Sequence, residues 1–268
     1  MRALLGAANA IVATIWAGVS CMLVWLITPG GRLGASVTHL WSRWILWGGG
    51  VRVTTVVEAP LPEGGCLLVC NHSSMLDINI TAAGLPRRFH FVSRPFFFKI
   101  PFLGWGMWAA RHISLDPKKP RGAAHSLKKV GERLRRGGAI LMFPEGTRSP
   151  DGVVRPYRRG PFLVAIEAGV PVVPVRIEGA HELLRKGSWS IRPGKVRLTI
   201  GASMPTAGLS GGDARPLAWS AETWTRCSRA PTSPPPPSPR GPRAGSGGRR
   251  RTCRGRGGGG ARPCRSCP

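Results

Sequence analysis

The stretch Cys66-Leu-Leu-Val-Cys70, followed at once by Asn71-His-Ser-Ser-Met-Leu-Asp77, joins an apolar run to a polar turn. An uninterrupted apolar run is typical of a strand covered on both faces, as in parallel sheets. Four residues separate His72 from Asp77, so a turn into a helix brings the imidazole and the carboxylate together outside the strand's carboxyl end, where α/β folds place ligands. A carboxylate bound to one ring nitrogen fixes the tautomer and leaves the other nitrogen free to take a proton. The plainer alternative is a helix start in which one of the two serines is the cap and His72 is incidental.

A second polar turn, Phe143-Pro-Glu-Gly-Thr-Arg-Ser149, also follows an apolar run directly. Gly146 allows the backbone to turn tightly, and Arg148 carries a planar guanidinium that suits a phosphate. The alternative is an ordinary strand-exit loop with a surface salt bridge. Both turns therefore leave the carboxyl ends of predicted strands.

From residue 51 onwards, short β-rich runs alternate with helical ones. The predicted strands are Val51–Val57, Cys66–Cys70, Phe89–Ser93, His112–Leu115, Ala139–Phe143, Val172–Ile177 and Lys195–Ile200. Helices are predicted at about Arg121–Arg136, which has one apolar face, and at about Pro161–Ala168. This alternation predicts an α/β fold with a mixed, largely parallel sheet covered by helices.

The N-terminal region is strongly apolar. Ala3 to Gly31 contains no charged residue, and as one helix it would be about 43 Å long against a hydrocarbon core of roughly 30 Å. Leu40 to Trp47, with three tryptophans and one arginine, suits a membrane interface. We therefore expect residues 1–48 to be a helical, membrane-associating segment. A cleaved signal peptide is the alternative, and the pattern leaves open whether the segment crosses once or bends at Gly18 and returns.

Charge is unevenly distributed. The chain has 268 residues, 39 Lys and Arg against 12 Asp and Glu, and a formal net charge of +27, a composition that excludes a collagen, a coiled coil and a polytopic membrane protein. Residues 214–268 carry runs of proline, glycine and arginine, contain no lysine, and predict a disordered tail. Such a composition also suggests a GC-rich gene read out of frame, so we expect residues 49–213 to be the folded domain and the tail to be a frameshift product.

Together the two polar turns resemble the membrane glycerophosphate acyltransferases, the 1-acylglycerol-3-phosphate acyltransferase (lysophosphatidic acid acyltransferase) family. The resemblance covers about residues 50–210. It is carried by N-H-x-x-x-x-D at 71–77 and F-P-E-G-T-R-S at 143–149, with Lys99-Ile-Pro-Phe-Leu-Gly104, Arg159-Gly160 and Val170-Pro-Val-Val-Pro-Val175. The family also has an N-terminal hydrophobic region, which agrees with residues 1–48.

The resemblance implies a reaction and roles for particular residues. A general base, His72, oriented by Asp77, would take the proton of a lysophospholipid hydroxyl that attacks an acyl thioester. The phosphate-binding segment would be Glu145, Gly146, Thr147 and Arg148, within which we expect Glu145 to hold Arg148 or a backbone amide. Further substrate contacts would come from Lys99, Arg159 and Gly160.

It also implies partners and a location. The co-substrate would be acyl-CoA or acyl carrier protein, the acceptor lysophosphatidic acid, and the product phosphatidic acid for phospholipid biosynthesis, with no bound cofactor and no metal. The enzyme would sit in the cytoplasmic membrane in contact with membrane lipid, its catalytic domain facing the cytoplasm.

The residues alone leave three alternatives open. The acceptor could be glycerol 3-phosphate or another lyso-lipid. The arginine-rich tail could bind nucleic acid, although it lacks the interleaved aromatic residues that stack on bases, so no specific nucleic acid is expected. A zinc site at Cys227, Cys253, Cys264 and Cys267 is disfavoured by the spacing of these cysteines.

Overall fold

The computed structural model describes residues 2–28, 32–116, 118–188 and 190–227. The strands are β1 (Val51–Val57), β2 (Cys66–Cys70), β3 (His90–Ser93), β4 (Ile113–Ser114), β5 (Ala139–Met142), β6 (Val172–Glu178) and β7 (Gly194–Ile200). The α-helices are α1 (Arg2–Ile27), α2 (Arg32–Gly48), α3 (Leu76–Gly84), α4 (Pro95–Phe98), α5 (Leu103–Ala109), α6 (Pro120–Arg135), α7 (Arg159–Ala168), α8 (Ala180–Leu183) and α9 (Ala214–Cys227), and a 3₁₀ turn spans Gly211–Asp213.

The described strands form one mixed sheet in the order β1-β7-β6-β2-β5-β3-β4. Strands β2 to β6 are parallel to one another, β7 is antiparallel to β6, and β1 is parallel to β7. The α/β fold with a mixed, largely parallel sheet is therefore confirmed. We call the edge at which β2, β3, β5 and β6 end the carboxyl edge.

Strand β2 is buried on both sides, as its apolar run predicts. Leu68 belongs to the core beneath α2 and α3, whereas Leu67 and Val69 belong to the core beneath α6, α7 and α9. All five β2 residues are 0% exposed. Because neighbouring residues of a strand point to opposite faces, only an uninterrupted apolar run can fill both cores.

The N-terminal segment forms an antiparallel pair of helices. Trp44 Nε1 donates to Asn9 Oδ1 at 3.0 Å, and Trp41 Nε1 donates to Thr14 Oγ1 at 3.3 Å. Helix α1 is continuous and does not bend at Gly18, where the missing side chain lets the Phe102 backbone approach closely. Within the described ranges, Gly6–Ile27 is the one stretch long and apolar enough to cross a membrane.

The C-terminal boundary predicted at residue 214 is wrong. Residues 214–227 form α9, which buries Ala214, Leu217, Ala218 and Ala221 against the core beneath α6 and α7. These positions follow the i, i+3, i+4, i+7 spacing of an amphipathic helix, which the arginine content of the whole tail obscured. The rest of the predicted tail, with Cys253, Cys264 and Cys267, lies outside the described residues.

Candidate active site

The turn after β2 is anchored to the neighbouring strand by a buried amide side chain. Asn71 Oδ1 accepts the N–H of Ile177 at 2.8 Å, and Asn71 Nδ2 donates to the Ile177 carbonyl at 2.9 Å. Both hydrogen-bonding groups of one β6 residue are thus used to hold the end of β2. The polar turn starts from a fixed point at the carboxyl edge.

His72 and Asp77 lie within hydrogen-bonding distance at that edge. Asp77 Oδ2 accepts the backbone N–H groups of Ser73 at 2.7 Å and Ser74 at 2.8 Å, and it lies 2.9 Å from His72 Nδ1. Because a carboxylate oxygen that receives two backbone N–H groups acts as an acceptor, Nδ1 carries the ring proton. The second ring nitrogen, Nε2, then has a free lone pair.

A serine side chain also supports the start of the helix, as the alternative interpretation of this turn expected. Ser74 Oγ accepts the N–H of Leu76 at 3.2 Å and donates to the Leu184 carbonyl at 2.8 Å, which supports the start of α3. His72 is nonetheless held by the carboxylate rather than left incidental. Its side chain is 16% exposed, whereas Asp77 is fully buried, so only the imidazole of the pair is open to a substrate.

The turns after β2 and β5 are bonded to each other around His72. Its ring stacks on Phe143 with centroids 4.1 Å apart. Its backbone N–H donates to Glu145 Oε1 at 2.7 Å, and its carbonyl accepts the N–H of Ser149 at 2.8 Å. The position of the imidazole therefore depends on both turns.

Glu145 is buried, and its carboxylate supports the backbone at the two turns. It is 5% exposed, and its oxygens accept the backbone N–H groups of His72 and, at 3.1 Å, Arg155. Burial raises the pKa of Glu145 to about 7, against the opposing effect of these two hydrogen bonds. Of the two roles expected for this carboxylate, holding a backbone amide is the one that the structure shows.

Gly146 is the point at which arginine side chains converge. It has φ +75°, and a Cβ there would lie 2.9 Å from the Arg158 guanidinium carbon. Arg94 Nη2 donates to the Gly146 carbonyl at 2.9 Å, and Thr147 beside it is exposed. Together with Arg148 in the turn itself, this places three arginines at or beside one short loop.

Comparison with known proteins agrees with this geometry. The sequence profile of the Acyltransferase family matches residues 52–178, which include both polar turns. This part of the chain, just under half of its length, therefore resembles the Acyltransferase family.

The chain resembles 1-acyl-sn-glycerol-3-phosphate acyltransferases of plants and bacteria. It is 37% identical over 142 residues to the chloroplastic 1-acyl-sn-glycerol-3-phosphate acyltransferase BAT2 of Brassica napus, covering 53% of this chain and 41% of that protein. It is 27% identical to the 1-acyl-sn-glycerol-3-phosphate acyltransferase of Pseudomonas aeruginosa, covering 82% of this chain and 87% of that one. The match to the chloroplastic relative thus spans about two fifths of that protein's length.

The fold is also that of a solved acyltransferase. The crystal structure of the 1-acyl-sn-glycerophosphate (LPA) acyltransferase PlsC from Thermotoga maritima matches with a TM-score of 0.71 and 26% identity. The match covers 84% of this chain and 92% of the Thermotoga chain. It therefore extends beyond the residues that the family profile covers.

Three further substrate contacts were predicted from the sequence, at Lys99, Arg159 and Gly160. Lys99 caps the C-terminal end of α4 and is exposed, and Arg159 and Gly160 begin α7. No described contact joins these three residues to His72 or to the 145–148 turn. Their roles stay predictions.

Sequence reasoning missed two arginines that the fold brings to the turn. Arg94 directly follows β3, which pairs with β5, so the strand-end argument that selected Arg148 could have selected it as well. Arg158 has no such signal, because its contact with Gly146 crosses a loop of irregular structure. Lys186 also reaches this region, donating to the Arg148 carbonyl at 3.3 Å.

Among the described residues, no group of three or more His, Cys, Asp or Glu side chains could hold a metal ion. The polar side chains described at the carboxyl edge are the imidazole–carboxylate pair and the guanidinium groups near Gly146.

Proposed function

We propose that this chain is a 1-acylglycerol-3-phosphate O-acyltransferase that moves a fatty acyl group from an acyl thioester to the free hydroxyl of 1-acylglycerol 3-phosphate. The product is phosphatidic acid, an intermediate of phospholipid biosynthesis. The observation that carries the proposal is the 2.9 Å contact between His72 Nδ1 and Asp77 Oδ2 beside an arginine-lined turn. The names of the relatives in Brassica and Pseudomonas and of the Thermotoga structure support the choice of acceptor.

In the first step His72 acts as general base. Nε2 takes the proton of the acceptor hydroxyl as its oxygen attacks the thioester carbonyl carbon. The resulting imidazolium is stabilised by the Asp77 carboxylate, whose position is fixed by the N–H groups of Ser73 and Ser74. General-base catalysis of this kind contributes about 10²–10⁴ in rate.

In the second step the tetrahedral adduct collapses. The carbon–sulfur bond breaks, and the thiolate leaves with the proton that His72 had taken, so the imidazole returns to its neutral form. Proton and electron pair balance without an acyl-enzyme, a bound cofactor or a metal. The thiol released is that of coenzyme A or acyl carrier protein.

The second turn would bind the acceptor's phosphate. Arg148 offers a fork of donors to phosphate oxygens, and Arg94 and Arg158 add positive charge beside Gly146. The Glu145 carboxylate is buried and accepts hydrogen bonds from backbone N–H groups, so it does not repel a phosphate at the loop surface. Thr147 is exposed and can donate its hydroxyl.

The apolar helices would hold the enzyme at the membrane that supplies the acceptor. Exposed apolar residues of α1 include Ile11, Val12, Ile15, Val19, Leu23, Leu26 and Ile27, and they continue onto α5 at Trp105 and Trp108. An apolar surface of this extent is typical of a membrane-contacting face. We place the enzyme on the cytoplasmic membrane with its catalytic domain facing the cytoplasm.

The test is acyl transfer by the purified full-length chain in detergent. Acyl-CoA and acyl carrier protein thioesters are supplied with 1-acylglycerol 3-phosphate, glycerol 3-phosphate or a lysophosphatidylcholine, and products are identified by mass spectrometry. We expect phosphatidic acid from the first acceptor. Acylation of glycerol 3-phosphate alone would reassign the acceptor, and no acylation of any of them would overturn the proposal.

A further inference from the structure

A basic groove lies beside β4, the strand at the outer end of the sheet. It has a volume of about 560 Å³, and its walls include Trp25, Trp108, Arg111, Lys129, Arg133 and Arg136. Arg111 directly precedes the β4 region, and Arg136 follows α6 just ahead of β5. These residues therefore lie towards the amino ends of the parallel strands, whereas His72 and Gly146 follow carboxyl ends. The groove is separate from the candidate active site.

The groove concentrates positive charge. Among the described residues that line the groove, four have basic side chains and one, Glu132, has a carboxylate. None of the ion pairs found among the described residues involves Lys129, Arg133 or Arg136. Burial and the charges of Arg111 and Arg136 lower the pKa of Arg133. An anion in the groove would relieve this repulsion.

A hydrogen bond between two residues that line the groove connects its walls. Arg133 Nη1 donates to the Arg111 carbonyl at 2.7 Å, which ties α6 to the segment before β4. Arg111 has φ +58°, a left-handed conformation that residues other than glycine rarely adopt. Such backbone strain is concentrated at functional sites, which agrees with a built pocket.

One wall of the groove is aromatic and belongs to the apolar helices. Trp25 of α1 and Trp108 of α5 pack with ring centroids 4.9 Å apart, and Trp108 is 56% exposed. Leu26 and Ile27, at the adjoining end of α1, are 69% and 79% exposed. Tryptophan is enriched where a membrane meets water, at the depth of the lipid headgroups.

We propose that this groove binds the headgroup of an anionic phospholipid of the surrounding bilayer, with the lipid phosphate among the basic side chains and the acyl chains along α1. The proposal rests on the membrane location given under the proposed function. An anionic headgroup is the ligand chosen because the cations and the exposed apolar helix end meet at the same opening. A soluble anion would gain nothing from that apolar surface.

The test measures lipid binding by the full-length protein in detergent. Dihexanoyl phosphatidylglycerol, dihexanoyl phosphatidylcholine and inorganic phosphate are titrated by isothermal calorimetry. Two variants with the same loss of charge are compared: Lys129→Gln/Arg136→Gln removes two groove cations, and Lys128→Gln/Arg135→Gln removes the exposed neighbours that precede them, which do not line the groove. Circular dichroism checks that both variants fold.

We expect the wild type to bind the anionic lipid about tenfold more tightly than the zwitterionic one. Inorganic phosphate should bind more weakly than the anionic lipid. In the groove variant the affinity for the anionic lipid should fall about tenfold, so that the preference disappears, whereas the control variant should keep it. Equal loss in both variants, equal binding of the two lipids, or binding of inorganic phosphate as tight as that of the anionic lipid would overturn the proposal. Since the readout is lipid binding, it can fail while acyl transfer succeeds, and the reverse.

Discussion

The turns after β2 and β5 leave the same edge of the sheet, yet they use their polar groups in opposite ways. In the first turn, residues 71–77, Asn71, Ser74 and Asp77 are buried and bonded within the protein. In the second turn, residues 143–149, Thr147 is exposed and Arg148 is partly exposed. The buried carboxylate of the second turn, Glu145, is bonded back to the first.

This difference separates two tasks. A general base must be held in one orientation, so its neighbours are buried and bonded within the protein while the imidazole is partly exposed. A phosphate, by contrast, is bound by donors that lack strong partners of their own. We infer that the first turn carries the chemistry and the second carries recognition, and the following substitutions test that division.

The largest effect is expected at His72. His72→Ala removes the proton acceptor and should lower kcat by about 10²–10⁴, with a smaller change in the KM of the acceptor. Steady-state rates of acyl transfer measure it. The control is His125→Ala, which changes an exposed histidine on α6 and should leave both constants unchanged. Equal loss in the two variants would contradict the role of His72.

A smaller loss is expected at Asp77. Asp77→Asn keeps the shape but removes the charge that stabilises the imidazolium, so kcat should fall by about 10², the lower end of what general-base catalysis contributes. The decisive comparison is the double variant with His72→Ala. If Asp77 acts through the imidazole, the second substitution should cost almost nothing further. Additive losses would show a separate role for the carboxylate.

Arg94 tests the second turn. Arg94→Gln removes one cation beside Gly146 and should raise the KM of a phosphate-bearing acceptor about tenfold with little change in kcat, because a hydrogen bond to a charged group is worth about 1.5–3 kcal/mol. Arg215→Gln, on the exposed surface of α9, is the matched control. A fall in kcat without a change in KM would move Arg94 from recognition to chemistry.

The smallest effect is a pH dependence of stability at Glu145. Its pKa rises from 4.5 to about 7 on folding, because burial disfavours the charged form. Between these pH values the folded protein holds a proton that the unfolded chain has released, so the wild-type free energy of unfolding should fall as pH rises from about 4.5 to about 7. Glu145→Gln cannot titrate and should lack this part of the slope.

Denaturant unfolding at pH 5, 6, 7 and 8 measures that slope. The exposed Glu167 offers a control, since Glu167→Gln should keep the wild-type slope. Parallel curves for wild type and Glu145→Gln would show that this carboxyl group stays charged in the folded protein.

Much of the fold was predictable because the strands of a covered sheet are apolar along their whole length. The bounds of β1 and β2 agree with the predicted runs, and those of the other strands differ by one or two residues. Helix α9 was missed since its apolar spacing lies in an arginine-rich region, and α4 and α5 were missed because their aromatic residues show no clear helical period. Spacing favoured the pairing of His72 with Asp77 but could not exclude the alternative.

Contacts between distant parts of the chain could not be predicted from the sequence. The bonds from Glu145 to the backbone of His72 and Arg155 depend on how the β2 and β5 turns meet, which no local pattern encodes. The same holds for the approach of Arg158 to Gly146. Only the strand order of the sheet brings these groups together.

The most direct test of the division between the two turns compares two acceptors in two variants. Rates are measured for wild type, His72→Ala and Arg148→Ala with 1-acylglycerol 3-phosphate and with the phosphate-free monoacylglycerol. His72→Ala should lower kcat/KM by the same factor for both acceptors, whereas Arg148→Ala should lower it only for the acceptor that carries phosphate. Equal loss of both acceptors in Arg148→Ala, or activity of His72→Ala equal to wild type, would contradict this account.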